Sequence, residues 1–178
     1  MSVTIDGSAS VTINSGAILG ITSGTAVAST SGTSIDFTSI PSWVKRITVM
    51  FQGVSTSGTS LLQIQVGSGS VSTSSYVSGA SYGGSAGQTT LTTTTGFALN
   101  STGGASAGAF FYGSVILTLV GSNTWVGQGN IYGSVSALAA YSCGGVSPAL
   151  GGALDRVRIT TVSGTDTFDA GTINILYE

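Results

Sequence analysis

Ionic groups are scarce in this 178-residue chain: four Lys and Arg, six Asp and Glu, and no histidine. Charged residues make up 6% of it, against roughly a quarter in ordinary soluble domains. Cysteine occurs once and proline twice. Each absence excludes something. Without histidine, and with one cysteine, zinc sites, iron–sulfur sites and His-based triads have neither ligands nor base. Cys143 has no partner within the chain for a disulfide. With no histidine to activate it, it reads as a small buried hydrophobe. Four cations cannot neutralise a phosphate backbone, so nucleic acid is not an expected partner. Apolar runs are short, as in Val115-Ile116-Leu117, far below the roughly 20 residues that cross a bilayer. Membrane insertion is therefore not expected. The opening MSVTIDGSAS has neither the basic nor the apolar region of a secretory leader, so synthesis in the cytoplasm is expected.

What is abundant is small. Glycine, serine and threonine fill a little under half of the chain. Hydrophobic residues still make up 41%, and the mean hydropathy of +0.45 leaves material for a core, which separates the chain from charge-driven disorder. A net charge of −2 gives weak repulsion between copies. Burial between identical subunits would desolvate few charges.

Gly, Ser, Thr and Val suit helix interiors poorly, and no segment shows a helical period. Two-residue alternation recurs instead. Near the start, Val3-Thr4-Ile5-Asp6 is echoed by Val11-Thr12-Ile13-Asn14, which reads as a pair of short strands, either in an arm or as a first hairpin. Residues 34–38 alternate, and Pro41 interrupts. Residues 43–54 form the strongest strand, with Ile47, Val49 and Phe51 on one face and Arg46, Thr48, Met50 and Gln52 on the other. After a turn, Leu62, Ile64 and Val66 alternate with Gln63 and Gln65, predicting the second half of a hairpin. Further strands are expected at 71–77, 89–93, 110–120, 125–128, 130–141, 155–162 and 172–177, with Gly121-Ser122-Asn123 as a turn and 142–154 as a glycine-rich loop. Arg156 and Arg158 should face outward, Val157 and Ile159 inward. Many short strands with regular turns predict an all-β, antiparallel β-sandwich of jelly-roll type. Residues 1–32 read as a short β-rich N-terminal arm, and 33–178 as the sandwich domain.

Candidate chemistry is sparse. No catalytic, cofactor or metal residues emerge, and an enzyme is not expected. Asp166 and Asp169 are close in sequence. A glycosidase pair or a calcium site could be built there, but bonds to nearby backbone N–H groups account for them better. Asn100-Ser101-Thr102 matches a glycosylation acceptor, without a leader to make it meaningful. Gly83-Gly84 and Gly103-Gly104 lack the lysine of a phosphate loop and read as loop punctuation. The four basic residues are expected to pair with Asp36 and Asp155. The aromatic residues Trp125, Tyr132, Tyr141, Tyr76 and Tyr82 sit among small polar residues, where a sugar ring could stack on them. Against that stands the role of core filler or interface.

One segment looks familiar: Gly32-Thr33-Ser34-Ile35-Asp36-Phe37-Thr38-Ser39-Ile40-Pro41-Ser42-Trp43-Val44-Lys45-Arg46-Ile47-Thr48-Val49-Met50-Phe51, continuing through Gly53-Val54-Ser55-Thr56-Ser57-Gly58-Thr59-Ser60 and Gln63-Ile64-Gln65-Val66-Gly67, and the closing Phe168-Asp169-Ala170-Gly171-Thr172-Ile173-Asn174-Ile175-Leu176-Tyr177-Glu178. These resemble virion proteins of tailed bacteriophages, of the tail-fibre and appendage type. The resemblance implies a β-rich homotrimer, made in the host cytoplasm and carried on the virion, that attaches the particle to the host surface. The expected partners are further copies of itself, other virion proteins through the N-terminal arm, and a host surface glycan. No cofactor is implied, and no receptor-contact residue carries over. A capsid decoration or head-fibre protein without a receptor, and a glycan-degrading enzyme, stand as alternatives.

Overall fold

The computed structural model describes residues 11–13, 16–18, 20–84, 87–102, 106–134, 138–162 and 164–178. Among them the regular structure is strand throughout. A small antiparallel pair comes first, β1 (Val11–Ile13) with β2 (Gly16–Ile18). The partner of its sequence echo, Val3 to Asp6, lies outside the described residues. Then come β3 (Thr22–Ser23), β4 (Val27–Ala28), β5 (Ser34–Thr38), β6 (Arg46–Thr56), β7 (Leu62–Ser68), β8 (Ser70–Val71), β9 (Val77–Gly84) and β10 (Gly87–Thr93). The chain closes with β11 (Phe97–Ala98), β12 (Phe110–Gly121), β13 (Thr124–Ser134), β14 (Leu138–Val146), β15 (Arg156–Thr161) and β16 (Phe168–Tyr177).

These strands build two antiparallel sheets. The large one has nine strands in the order β10-β9-β14-β13-β12-β6-β16-β3, with β4 also on β16. The small one has five, β11-β7-β15-β5, with β8 on β7. The pairing is nested. β3 and β4 meet β16, β5 meets β15, β6 meets β12, and β7 meets β11. A chain folded back on itself, first strand against last, gives this order. The segments β8 to β10 and β13 to β14 are insertions into it, and most of their strands extend one side of the large sheet.

Alternation decides which side chains enter the core. On β6, Ile47, Val49 and Phe51 are buried, while Arg46 and Gln52 are exposed. Val157 and Ile159 on β15 are buried between the outward Arg156 and Arg158. Inner-face residues of both sheets join one hydrophobic cluster, in which Ile64 and Phe97 from the small sheet meet Leu117, Trp125 and Ile173 from the large one. Fully burying side chains of this size is worth about 1.5–3 kcal/mol each. The β12–β13 hairpin turns on Ser122 (φ 47°) and Asn123 (φ 56°). Two successive positive φ values give the mirror-image turn that matches strand twist.

Several expectations need correcting. Residues 62–66 do form a strand, but β7 is not the hairpin partner of β6. It crosses to the other sheet and pairs with β15. Burial on both faces of β7 explains the difference, because Gln63 and Gln65 are 2% and 6% exposed, so the alternation did not mark a solvent side. The arm expected through residue 32 ends sooner, since β3 and β4 hydrogen-bond to β16 within the large sheet. Gly83, Gly84, Gly144 and Gly145 lie in strands rather than loops. Gly129, taken as a gap between two strands, is interior to β13. Glycine on these strands makes room for large neighbours. A Cβ on Gly127 would lie 2.9 Å from the Phe97 ring and 3.0 Å from Leu117. One on Gly133 would crowd the rings of Tyr141 and Phe111 at 3.1 and 3.2 Å.

Candidate functional site

The five candidate rings separate by strand parity. Trp125 on β13 and Tyr141 on β14 point into the core at 2% and 1% exposure. Tyr82 on β9 joins them, its ring 5.5 Å from that of Tyr141, with Phe111 at 6.2 Å on the other side. Tyr76 is equally buried and meets Phe97 edge-on at 5.3 Å. Rings in these positions fill the interior and offer no face to a sugar. Tyr132 alone of the five is half-exposed. It stands seven residues after Trp125 on the same strand, and an odd spacing puts two residues on opposite faces.

The buried rings differ in how their polar atoms are treated. The Tyr76 hydroxyl accepts the Val66 N–H at 2.9 Å and donates toward the Ser72 carbonyl at 3.1 Å. Burial pushes its pKa up to about 12, and the Val66 hydrogen bond offsets part of that rise. The Tyr141 hydroxyl and the Trp125 indole N–H are buried without a hydrogen-bond partner among the described residues. Burial, and then the neighbouring Tyr82, raise the Tyr141 pKa.

Tyr132 brings in residues that the sequence reading did not single out together. Its cross-strand partner is Tyr112 on β12, also half-exposed, with Phe110 near it on the same face. The Tyr112 ring lies over Gly53 of β6, about 3.6–3.9 Å from where a Cβ would stand there. Parity could have found this group. With Val115 and Leu117 inward, Phe110 and Tyr112 must face out.

The remaining candidates take structural positions. Arg158 meets Asp36 with two hydrogen bonds, at 2.7 and 3.1 Å, between directly paired residues of β15 and β5. Arg156 meets Asp155 at 2.7 Å and Arg46 meets Glu178 at 3.0 Å. The Arg156 side-chain hydrogen bond, followed by weaker contributions, holds the Asp155 carboxyl below its usual range. Asp166 accepts the Ser60 N–H at 2.7 Å, 106 residues away in sequence, so it ties down a distant turn rather than making the expected bond to nearby backbone. Asp169 is exposed, and buried Phe168 stands next to it. Among the described residues no three acidic or thiol side chains converge as metal ligands. Asn100 is buried, and its Oδ1 accepts the Leu62 N–H at 2.8 Å, so it is a structural amide. The Cys143 thiol donates toward the Gly129 carbonyl at 3.4 Å. Burial pushes its pKa up to about 11, which keeps it a thiol and a poor nucleophile at neutral pH.

Two open troughs mark the large sheet. One, of about 570 Å³, runs past Val77, Gly79, Thr92 and Gly144. The other, of about 440 Å³, is lined by Ser114, Ile116, Gln128 and Asn130. Neither carries an acid or a cation in its lining. Their linings combine hydroxyls, amides and backbone with apolar side chains, Tyr76 in the first and the Cys143 thiol in the second, a surface suited to an uncharged partner. No protein-family model, curated protein or solved structure matches this chain.

Proposed function

We propose that this protein is a structural component of a tailed-bacteriophage particle: a fibre- or spike-type homotrimer, carried on the virion, that attaches the particle to the host surface. The observation that carries this reading is the nested strand order. Four ladders, first strand with last and so inward, are what an antiparallel hairpin gives when it rolls up into two facing sheets. That supports a jelly-roll sandwich, an architecture used in viral capsids and lectins. On this reading the segment preceding β3 docks to other virion proteins.

The site chemistry favours binding over turnover. A surface rich in hydroxyls and amides supports an uncharged host glycan as ligand. Troughs lined by amides and hydroxyls speak against a glycan-degrading enzyme, which needs two carboxylates some 5–10 Å apart. The second reading is a capsid decoration or head-fibre protein with the same architecture and no receptor.

The decisive experiment is cryo-microscopy of intact particles combined with labelling of this chain. Density at a tail appendage supports the attachment reading, and density on the head overturns it in favour of decoration. Adsorption is the independent check. Purified protein should compete with particles for host cells, and failure to compete would overturn the attachment reading. Release of reducing ends from host polysaccharide would overturn the non-enzymatic assignment.

A further inference from the structure

We propose that copies of this chain associate through the outer face of the large sheet, across β12, β13, β14 and β9. This rests on the homo-oligomer reading above and assigns its surface. From Ile47 to Leu154 the sequence contains no Asp, Glu, Lys or Arg, and every residue of this face comes from that stretch. The register arranges the face in rows. At one end Val126, Val146 and Val77 stand side by side on three strands, with Val77 72% exposed. At the other end stand Tyr112 and Tyr132 with Phe110. The rows between carry Ile116, Gln128, Gly144 and Gly79, and Ser114, Asn130, Ser142 and Ser81. Uncharged side chains alternating with glycine let a second sheet approach to the usual spacing of about 10 Å.

The charge distribution selects the occupant. A partner with its own ions would have to strip them of water against a face that offers no counter-ion, and desolvation of unpaired charge is costly. A second copy brings the same uncharged face. The Asp36–Arg158 and Asp155–Arg156 pairs belong to the small sheet, and Arg46–Glu178 stands at the border of the face, Arg46 being paired with Thr118 of β12, so the contact desolvates at most that one exposed pair. The bordering edge fits as well. β10 pairs with β9 and with no other described strand, and it has neither the charge nor the proline that normally blunts a free edge. Copies that turn this face toward a common axis give a closed assembly.

The test is the mass in solution. Light scattering should give the wild-type chain about three times its 17.5 kDa. A variant with Val77→Glu, Gln128→Glu and Tyr132→Glu should run as a monomer with an unchanged β-sheet circular dichroism spectrum. Thr38→Glu, exposed on β5 of the small sheet, should leave the wild-type mass intact. If the triple variant keeps the wild-type mass, the face is wrong while the oligomer stands. A wild-type chain that is monomeric at every concentration overturns the oligomer and this face together. Should the triple variant fail to fold, hydroxyl-radical footprinting of the wild type decides. Tyr112 and Tyr132 should be protected in the oligomer and modified on dilution, and equal modification in both overturns the assignment.

Discussion

The outer faces of the two sheets are opposites. On the small sheet the outward side of β7 is closed over by its own chain. Gln65 donates to the Thr95 carbonyl, the Thr95 hydroxyl donates to Gln63, and Arg158 grips Asp36 alongside. On the large sheet the outward side of β12 to β14 carries no charge, short polar groups and exposed rings. The difference teaches where each face finds its partners. The polar groups that the chain covers on β7 are tied off within the chain, as most buried polar groups are. A face left without charge and without cover has to be satisfied by water or by another molecule.

The sharpest way to break this comparison uses two rings of β13 that sit on opposite faces. Trp125→Ala removes a core ring and should cost about 3–5 kcal/mol in urea unfolding. Tyr132→Ala, measured in dilute solution, should stay within about 0.5 kcal/mol, as expected for a surface change. Equal losses would mean that the outer face is structural.

Next in size is Tyr76→Phe. It leaves the buried Val66 N–H without its acceptor, at about 1–3 kcal/mol. The same residue predicts an alkaline weakness. Its hydroxyl titrates at about 12 in the folded chain and 10.0 in the reference state. Between these values the unfolded chain has released a proton that the folded chain retains, so stability falls as pH rises. The contribution is intact below pH 10, and unfolding followed from pH 9 to 12 should show a shallower decline in Tyr76→Phe than in the wild type.

A smaller effect belongs to the exposed Arg158–Asp36 pair. Arg158→Ala should cost roughly 0.2–1 kcal/mol, and the loss should shrink in high salt. The smallest is Tyr141→Phe. Its hydroxyl is buried without a partner among the described residues, so deleting it should be neutral or slightly stabilising in thermal melts. A cost like that of Tyr76→Phe would reveal a partner for this hydroxyl.

Much of the strand content was readable, because alternation of Ile47, Val49 and Phe51, or of Val157 and Ile159, follows from the two-residue period of a strand. The turn at Ser122 and Asn123 was readable too. The placement of β7 was not. Gln63 and Gln65 look outward in sequence, and only the loop that covers them makes that face interior. The strand glycines were misread for a related reason. Glycine marks a turn when only neighbours in sequence are considered, whereas Gly129 owes its place to Ser114 and Val115 of the adjoining strand, whose backbone a Cβ there would meet. Among the candidate rings, parity already held the answer for Trp125 against Tyr132, but not for Tyr76 or Tyr82.

By itself, then, the amino-acid sequence determined an antiparallel β protein with almost no ionic surface, since period and composition are local properties of the chain. Only the tertiary structure decided which strands became neighbours, which rings became core, and that the charge-free β12, β13, β14 and β9 stand side by side in one sheet. Those outcomes depend on contacts between residues far apart in the chain, and no local pattern specifies them.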